Sequence, residues 1–326
     1  MFSNDIGIDL GTANILIFKK GEGIVLNEPS VLAINDETKE ILAVGSEAKE
    51  MFGRTPGKIK AIKPLKDGVI ADFEATEILL DSLIRKINAK GFFIKPKILI
   101  CCPTNITEVE KNAIREAAEK TGARKIIIEE EPKVAAIGSG IDISSSSGHM
   151  IVDIGGGTTD IAVLSLGDIV VSESIKIAGN AFDNEIIKYI KDKYNLLIGE
   201  STAEEIKKKI GSVNNEIKKN KMEVKGRDLI KGLPGKIFIT SEEISISLRK
   251  CVNEIIRAIK HVLEQTPPEL SSDIINSGIV LTGGGSLISG LSEILTEELN
   301  VSVKVSKEPL TAVALGTGIM LENCCF

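Results

Sequence analysis

Along this chain, short apolar runs of strand length alternate with stretches in which apolar residues recur at helical spacing, the pattern of an α/β fold with mixed sheets. The segment IGIDLGTANILIF (6–18) predicts a strand, a Gly/Thr turn and a returning strand, and MIVDIGGGTTDIAVLSL (150–166) predicts the same hairpin again. Further strands are expected at 23–26, 31–35, 41–44, 97–102, 125–128 and 279–281. Helical spacing predicts helices at 75–88, 108–121, 133–139, 181–194, 202–210 and 241–264. Thr107, with Glu110 three positions on, has the form of a capping box, and Gly122 closes that helix. The stretch from 211 to about 235 reads as a polar insertion, and a last helix is expected to start within Gly283-Gly284-Gly285-Ser286. A small polar linker at 144–148 marks the boundary between two halves, each opening on its own hairpin.

Composition narrows this picture only modestly. At 326 residues the chain exceeds one ordinary core, so two domains are expected. Aromatic residues make up 3% with no Trp, so Ile, Leu and Val must build the interior. A net charge of −6 gives no reason to expect a nucleic-acid partner. No apolar run approaches the roughly 20 residues that span a bilayer, and the first five residues do not form a signal peptide, so a cytoplasmic location is expected. None of the five cysteines has CxxC spacing, which argues for reduced, buried thiols rather than a zinc site or disulfide framework.

Each repeated hairpin places an aspartate, Asp9 or Asp153, at the end of its first strand. The turns that follow are Gly11-Thr12-Ala13-Asn14 and Gly155-Gly156-Gly157-Thr158-Thr159. Such glycine turns let successive backbone N–H groups converge on an anion, and an aspartate beside them suits a hydrated divalent cation. One hairpin per half therefore suggests two related domains closing on a Mg-bound polyphosphate. The third cluster, Gly283 to Ser286, lies between a strand and a helix and suits either a base and ribose or a phosphate at a helix N-terminus. It is neither a G-x-G-x-x-G fingerprint nor a Walker A loop. Phosphoanhydride hydrolysis needs an in-line water and a group to orient it. Glu131, at the end of a strand, reads either as that group, assisted by Thr158, or as one member of an acidic surface turn, Glu129-Glu130-Glu131.

The segments IDLGTAN, the strand–EEP–helix with AAIGSG, VDIGGGTTDIAVLSLG, TAEEIKKKIG, LTGGGSLISGL and EPLTAVALGTG resemble, in order and spacing from Ile6 to about Leu321, the MreB/Mbl family of bacterial actins. The resemblance implies the actin-like two-lobed fold: duplicated mixed-sheet, ribonuclease H-like domains, each with a smaller subdomain. The division it implies is 1–32, 66–143 and 316–326 for one core with 33–65 as its subdomain. The other core is 144–179 and 245–315, with 180–244 as its subdomain. It also implies a slow ATPase that binds ATP or ADP with Mg2+, assembles into paired protofilaments, organises cell shape and works with cell-shape or motility proteins. By this likeness Thr12, Ala13 and Asn14 form the first phosphate loop and Gly155, Gly156 and Gly157 the second. Asp9 and Asp153 face Mg2+ through water, and Glu131 and Thr158 handle the attacking water. Glu204, Glu205, Ile206 and Lys207 cradle adenosine together with Gly283, Gly284, Gly285 and Ser286. Three positions depart from the family pattern: Lys133, where an apolar residue is usual; Asp160, where Glu is common; and Ile15, where Thr is frequent. A cation at 133 is expected to lower the basicity of Glu131 or pair with it.

Phe92 and Phe93, flanked by Arg85, Lys86, Lys90, Lys95 and Lys97, read either as core residues or as a loop that inserts into an anionic bilayer. The resemblance places a membrane-inserting loop at this position, hence an expected location at the inner face of the cell membrane. Two other readings share the nucleotide clamp. A chaperone is expected to carry a further substrate-binding domain, and a sugar kinase larger insertions with a sugar-binding acid. A non-hydrolysing scaffold would bind nucleotide only structurally, and Lys133 is the residue that favours it.

Overall fold

The computed structural model describes residues 5–87, 95–104, 106–213 and 220–323. Among the described residues, two five-stranded sheets have the same topology. In one, Gly23–Pro29, Asn14–Lys19, Ile6–Leu10, Lys97–Cys102 and Lys125–Glu130 lie side by side. In the other the order is Asp168–Ile175, Thr159–Ser165, His149–Ile154, Ile279–Thr282 and Val303–Val305. In both, an antiparallel three-strand meander is followed by two strands parallel to its first. The repeat seen in the sequence is thus a repeat of whole sheets. Corresponding positions can be matched by register: Asp9 lies beside Cys101, and Asp153 beside Thr282.

The central strands are apolar on both faces because both faces are covered. Ile6 and Ile8 point to the core of one lobe, closed by Leu79, Leu80, Leu83 and Ile84 of helix Phe73–Lys86. Val152, Ile154 and Val163 face the core of the other lobe, against Ile255 and Ile259 of helix Ser241–Gln265. The remaining faces share a third cluster. Leu99 and Cys101 from the first sheet and Ile151, Ala162 and Leu164 from the second enclose helices Glu131–Gly138 and Ala312–Asn323. The two lobes are joined through this cluster. Two three-stranded sheets cap the lobes: Leu32–Asn35, Ile41–Val44 and Ile59–Ile62 on the first, Leu196–Leu197, Lys221–Asp228 and Pro234–Thr240 on the second.

Helix starts follow local chemistry. The Thr107 hydroxyl accepts from the Glu110 amide while the Glu110 carboxylate accepts from the Thr107 amide. Thr240 and Glu243 repeat that arrangement. Several expectations are corrected. The helix expected at 75–88 begins at Phe73, because Asp72 accepts from the Ala75 amide and caps it there. The supposed polar insertion contains the hairpin Lys221–Asp228 with Pro234–Thr240; every second residue (Met222, Val224, Ile237, Ile239) faces inward while the other face meets solvent. The strand Asp168–Ile175 and the helix Pro268–Ser277, started by its own proline, were also not evident in the sequence. Gly283–Ser286 opens only a single 3-10 turn, Gly284–Leu287; Gly290, at φ 83°, then turns the chain into helix Leu291–Leu299. Cys101, Cys102 and Cys251 are free and buried.

Candidate functional site: a cleft between two lobes

A cleft of about 720 Å³ opens between the lobes. The repeated topology determines what faces it, because each hairpin turn emerges at the same end of its sheet. Thr12, Ala13 and Asn14 line it from one lobe, and Gly155, Gly156, Gly157 and Thr158 from the other. The two turns touch. A Cβ on Gly156 would lie 2.6 Å from the Ala13 Cβ, and one on Gly157 would lie 2.6 Å from the Thr12 hydroxyl and 2.9 Å from the Asp67 Cα. Close approach of two backbones is the reason for glycine here. The Gly68 amide donates to the Thr12 hydroxyl at 3.0 Å, so a turn next to the first loop also backs the second.

Asp9, Glu131 and Asp153 lie at the cleft floor, with Asp160 buried behind them. Burial pushes the Asp9 carboxyl up to about 7. Burial, then the neighbouring Asp160, Asp153 and Asp9, pushes Glu131 well above the usual carboxylate range. Burial, Asp160 and Asp9 do the same to Asp153. Asp160 is raised by burial, partly offset by hydrogen bonds from Thr158, Ser174 and the Thr104 amide. Such a nest of like charges is costly for the fold and suits a partner that brings cations or N–H donors. Hard carboxylate oxygens fit Mg2+. Among the described residues no three side chains converge as a direct ligand set, so the fit is to an ion held largely by water and by ligand oxygens.

The acidic turn is sorted by geometry. Strand Lys125–Glu130 runs directly into helix Glu131–Gly138, with Pro132 in its first turn. Glu131 lines the cleft, whereas Glu129 forms an ion pair with Lys133 at 3.7 Å. Lys133 also reaches Asp168 at 3.6 Å. The expected pairing of Lys133 with Glu131 is therefore absent, because two residues of helix, roughly 200° of rotation, turn the lysine to the side opposite Glu131. Lys133→Met is accordingly expected to leave phosphate release within about twofold of wild type, in line with surface substitutions away from a site; a phosphate-release assay checks it.

At the other end of the cleft, Gly283, Gly284 and Gly285 line the wall, and the buried Ser286 hydroxyl donates to the Gly283 carbonyl at 2.6 Å, shaping the turn rather than facing the cavity. Glu204 and Lys207 line the opposite wall. Glu205 does not line the cleft: it pairs with Lys209 at 2.6 Å, one turn further along the helix. Ile206 is fully buried in the lobe core. Helical periodicity separates the four, since only residues three apart share a face. Phe92 and Phe93 lie outside the described residues. Sequence reasoning missed Lys49, Lys63, Asp183 and Glu200, which line the cleft from four separate elements and carry no local signal. Asp160 was legible, being the register partner of Asp153 across the hairpin.

Paired sheets of one topology, joined through central helices and presenting a glycine loop each to one cleft, define an actin-like protein. The pattern of the MreB/Mbl protein family matches residues 3–325. The cell shape-determining protein Mbl of Bacillus cereus is 61% identical over 99% of this chain and 97% of its own length. The cell shape-determining protein MreB of Escherichia coli is 50% identical over 99% of this chain and 94% of its own. The crystal structure of Spiroplasma citri MreB5 bound to ADP superposes with a TM-score of 0.93 at 43% identity, covering 98% of each chain. The chain belongs to the MreB/Mbl family, within the actin-like fold. No helix among the described residues is long and apolar enough to cross a membrane.

Proposed function

We propose that the protein binds ATP with Mg2+ in this cleft, hydrolyses it slowly and couples the cycle to assembly of a cytoskeletal filament that organises cell shape. The observation that carries this reading is the convergence of two glycine loops, one per lobe, over a nest of four carboxyls. Spiroplasma citri MreB5, 43% identical, has been crystallised with ADP and with AMPPNP, which supports the choice of nucleotide. Thr12, Ala13, Asn14 and Gly155 to Gly157 would hold the phosphates through backbone N–H groups. Glu204 and Gly283 to Gly285 would bound the adenosine, with Ser286 keeping that turn in shape. Asp9 and Asp153 would hold Mg2+ through water, and the ion when bound neutralises charge on the phosphate oxygens.

In hydrolysis a water oxygen forms a bond to the γ-phosphorus as the bond to the β,γ-bridging oxygen breaks, and ADP leaves. Glu131 orients that water and takes its proton, and Thr158 holds it from the other lobe. A carboxyl whose pKa is raised by burial is a stronger base when ionised than an exposed one. The scaffold reading rested on Lys133 opposing Glu131, and the Glu129 and Asp168 pairs of Lys133 remove its basis.

Light scattering and pelleting with ATP and Mg2+, run beside phosphate release, test the function. Filaments accompanied by slow phosphate release are expected, and their absence at high protein concentration, with or without lipid, would refute it. Membrane attachment is proposed to run through Phe92 and Phe93. Two Phe side chains offer roughly 3–6 kcal/mol at most on burial, with the flanking lysines adding salt-sensitive attraction to acidic lipid. Filament repetition multiplies a weak contact. Changing both to Ser is expected to abolish co-sedimentation with anionic liposomes while filaments in solution persist. An early thermal melt, or lipid binding that is unaltered, would assign the pair to the core or to no role.

A further inference from the structure

Helix Glu200–Ile210 touches three parts of the molecule at once. At the cleft mouth, Glu204 pairs with Lys49 at 3.0 Å and Glu200 with Lys63 at 2.6 Å, so both bridges run from the small subdomain of one lobe to that of the other. On the inner side, the largely buried Lys207 ammonium donates to Asp183 at 2.9 Å and to the Gly179 carbonyl at 2.8 Å. Gly179 and Asn180 in turn donate their amides to the carbonyls of Gly155 and Gly156, at 3.1 and 2.8 Å. Polar contacts at either end, joined through the body of helix Glu200–Ile210, therefore link Lys63 and Lys49 to the second phosphate loop. Every joint in this link is short, and its middle is shielded from water: Asp183 is 8% exposed.

Lys207 was expected to hold adenosine, but its ammonium is turned toward its own lobe. Glu204 is also engaged: its hydrogen bonds to Lys208 and Lys49 hold its carboxyl down to about 2 in spite of partial burial. Glu204 thus stays ionised throughout the physiological range. Exposed ion pairs are individually weak. A buried pair is different, because losing one partner strands the other. The inner joint therefore sets geometry, and the outer pairs bias the opening and closing of the mouth.

We propose that Lys207 is a positioning residue: through Asp183 and the Gly179 carbonyl it fixes the second phosphate loop to helix Glu200–Ile210, and through that helix to the ion pairs that hold the cleft mouth shut. The kinetic consequences rest on the ATPase reading, whereas the structural link does not.

The test has two levels. In nucleotide-free protein, Lys207→Met and Asp183→Asn are each expected to speed amide hydrogen exchange at Gly155, Gly179 and Asn180 at least tenfold. Exchange in the far sheet strand Lys125–Glu130 should be unchanged. With nucleotide, either variant lowers saturating phosphate release about tenfold while the Kd for ADP moves less than threefold, and the double variant is no worse than the single ones. Lys63→Glu, at the cleft mouth, speeds release of a fluorescent ADP about threefold, and adding Glu200→Lys restores it. The proposal is overturned if Lys207→Met raises the Kd for ADP tenfold with the saturating rate intact, which makes the lysine a direct ligand. Additive losses in the double variant, unchanged exchange at Gly179 and Asn180, or a Lys63→Glu variant that releases ADP at the wild-type rate also overturn it. A wild-type protein that binds no ATP with Mg2+ would instead sink the ATPase reading, leaving the exchange measurements to judge the link.

Discussion

Replacing Glu131 by alanine is expected to slow phosphate release about a hundredfold, at the lower end of what loss of a positioned general base costs, while ADP affinity is retained. The same variant is expected to melt higher than wild type without nucleotide. Both effects come from one arrangement. Glu131 shares the cleft floor with Asp9, Asp153 and Asp160, and each carboxyl there is raised above its ordinary range by burial. A carboxyl whose pKa is raised on folding binds its proton more tightly in the folded state than in the unfolded one. Its contribution to stability is therefore full below the unfolded pKa and falls as pH rises toward the folded value. For Asp9 that window runs from 3.8 to about 7. Nucleotide-free protein should lose stability across it, and Glu131→Ala should flatten the decline by removing one of the like charges. Thermal melting at several pH values, beside phosphate release, checks the pair of effects. Hydrolysis at the wild-type rate in the variant would show that Glu131 does not handle the attacking water.

Gly316→Ala is expected to destabilise the protein by about 3 kcal/mol, at the upper end of ordinary overpacking, lowering the melting temperature by roughly 4 °C for a chain of this size. A Cβ on Gly316 would sit 2.0 Å from the Val134 carbonyl oxygen, and one on Gly138 would sit 1.8 Å from the Ala312 carbonyl oxygen. Helices Glu131–Gly138 and Ala312–Asn323 thus cross backbone to backbone, each supplying a glycine to the other's wall. Neither wall is the end of a flexible side chain, so the helices must separate. Because these helices join the two lobes, their separation also shifts Glu131, at the head of the first, relative to the glycine turn Gly155 to Gly157. Gly57→Ala is the control: a Cβ there meets nothing within 4 Å and the backbone is not left-handed, so the change should stay within about 0.5 kcal/mol. If the Gly316 and Gly57 variants melt together, the helix crossing is looser than described.

The sequence by itself determined the two hairpins, because alternating apolar runs broken by Gly/Thr turns have few other local solutions, and it determined the capped helix Glu108–Lys120 from Thr107 and Glu110. The likeness between 6–18 and 150–166 further pointed to two related sheets. The small sheet Lys221–Asp228/Pro234–Thr240 was hidden, since an edge hairpin with one solvated face presents mostly polar residues. Which glutamate of 129–131 faces the cleft was decided by the strand-to-helix junction, and which of residues 204–207 face it by the helical turn. Neither follows from residue type. Lys49, Lys63, Asp183 and Glu200 meet the cleft from segments far apart in the chain, so only the tertiary structure brings them together. The same holds for Gly138 and Gly316: in sequence each is merely a poor helix residue, and their value appears only when the two backbones cross. Local pattern specifies elements because it acts through neighbours within a turn or a pleat. The cleft, its charges and its joints depend on contacts between distant segments, and those only the packed lobes supply.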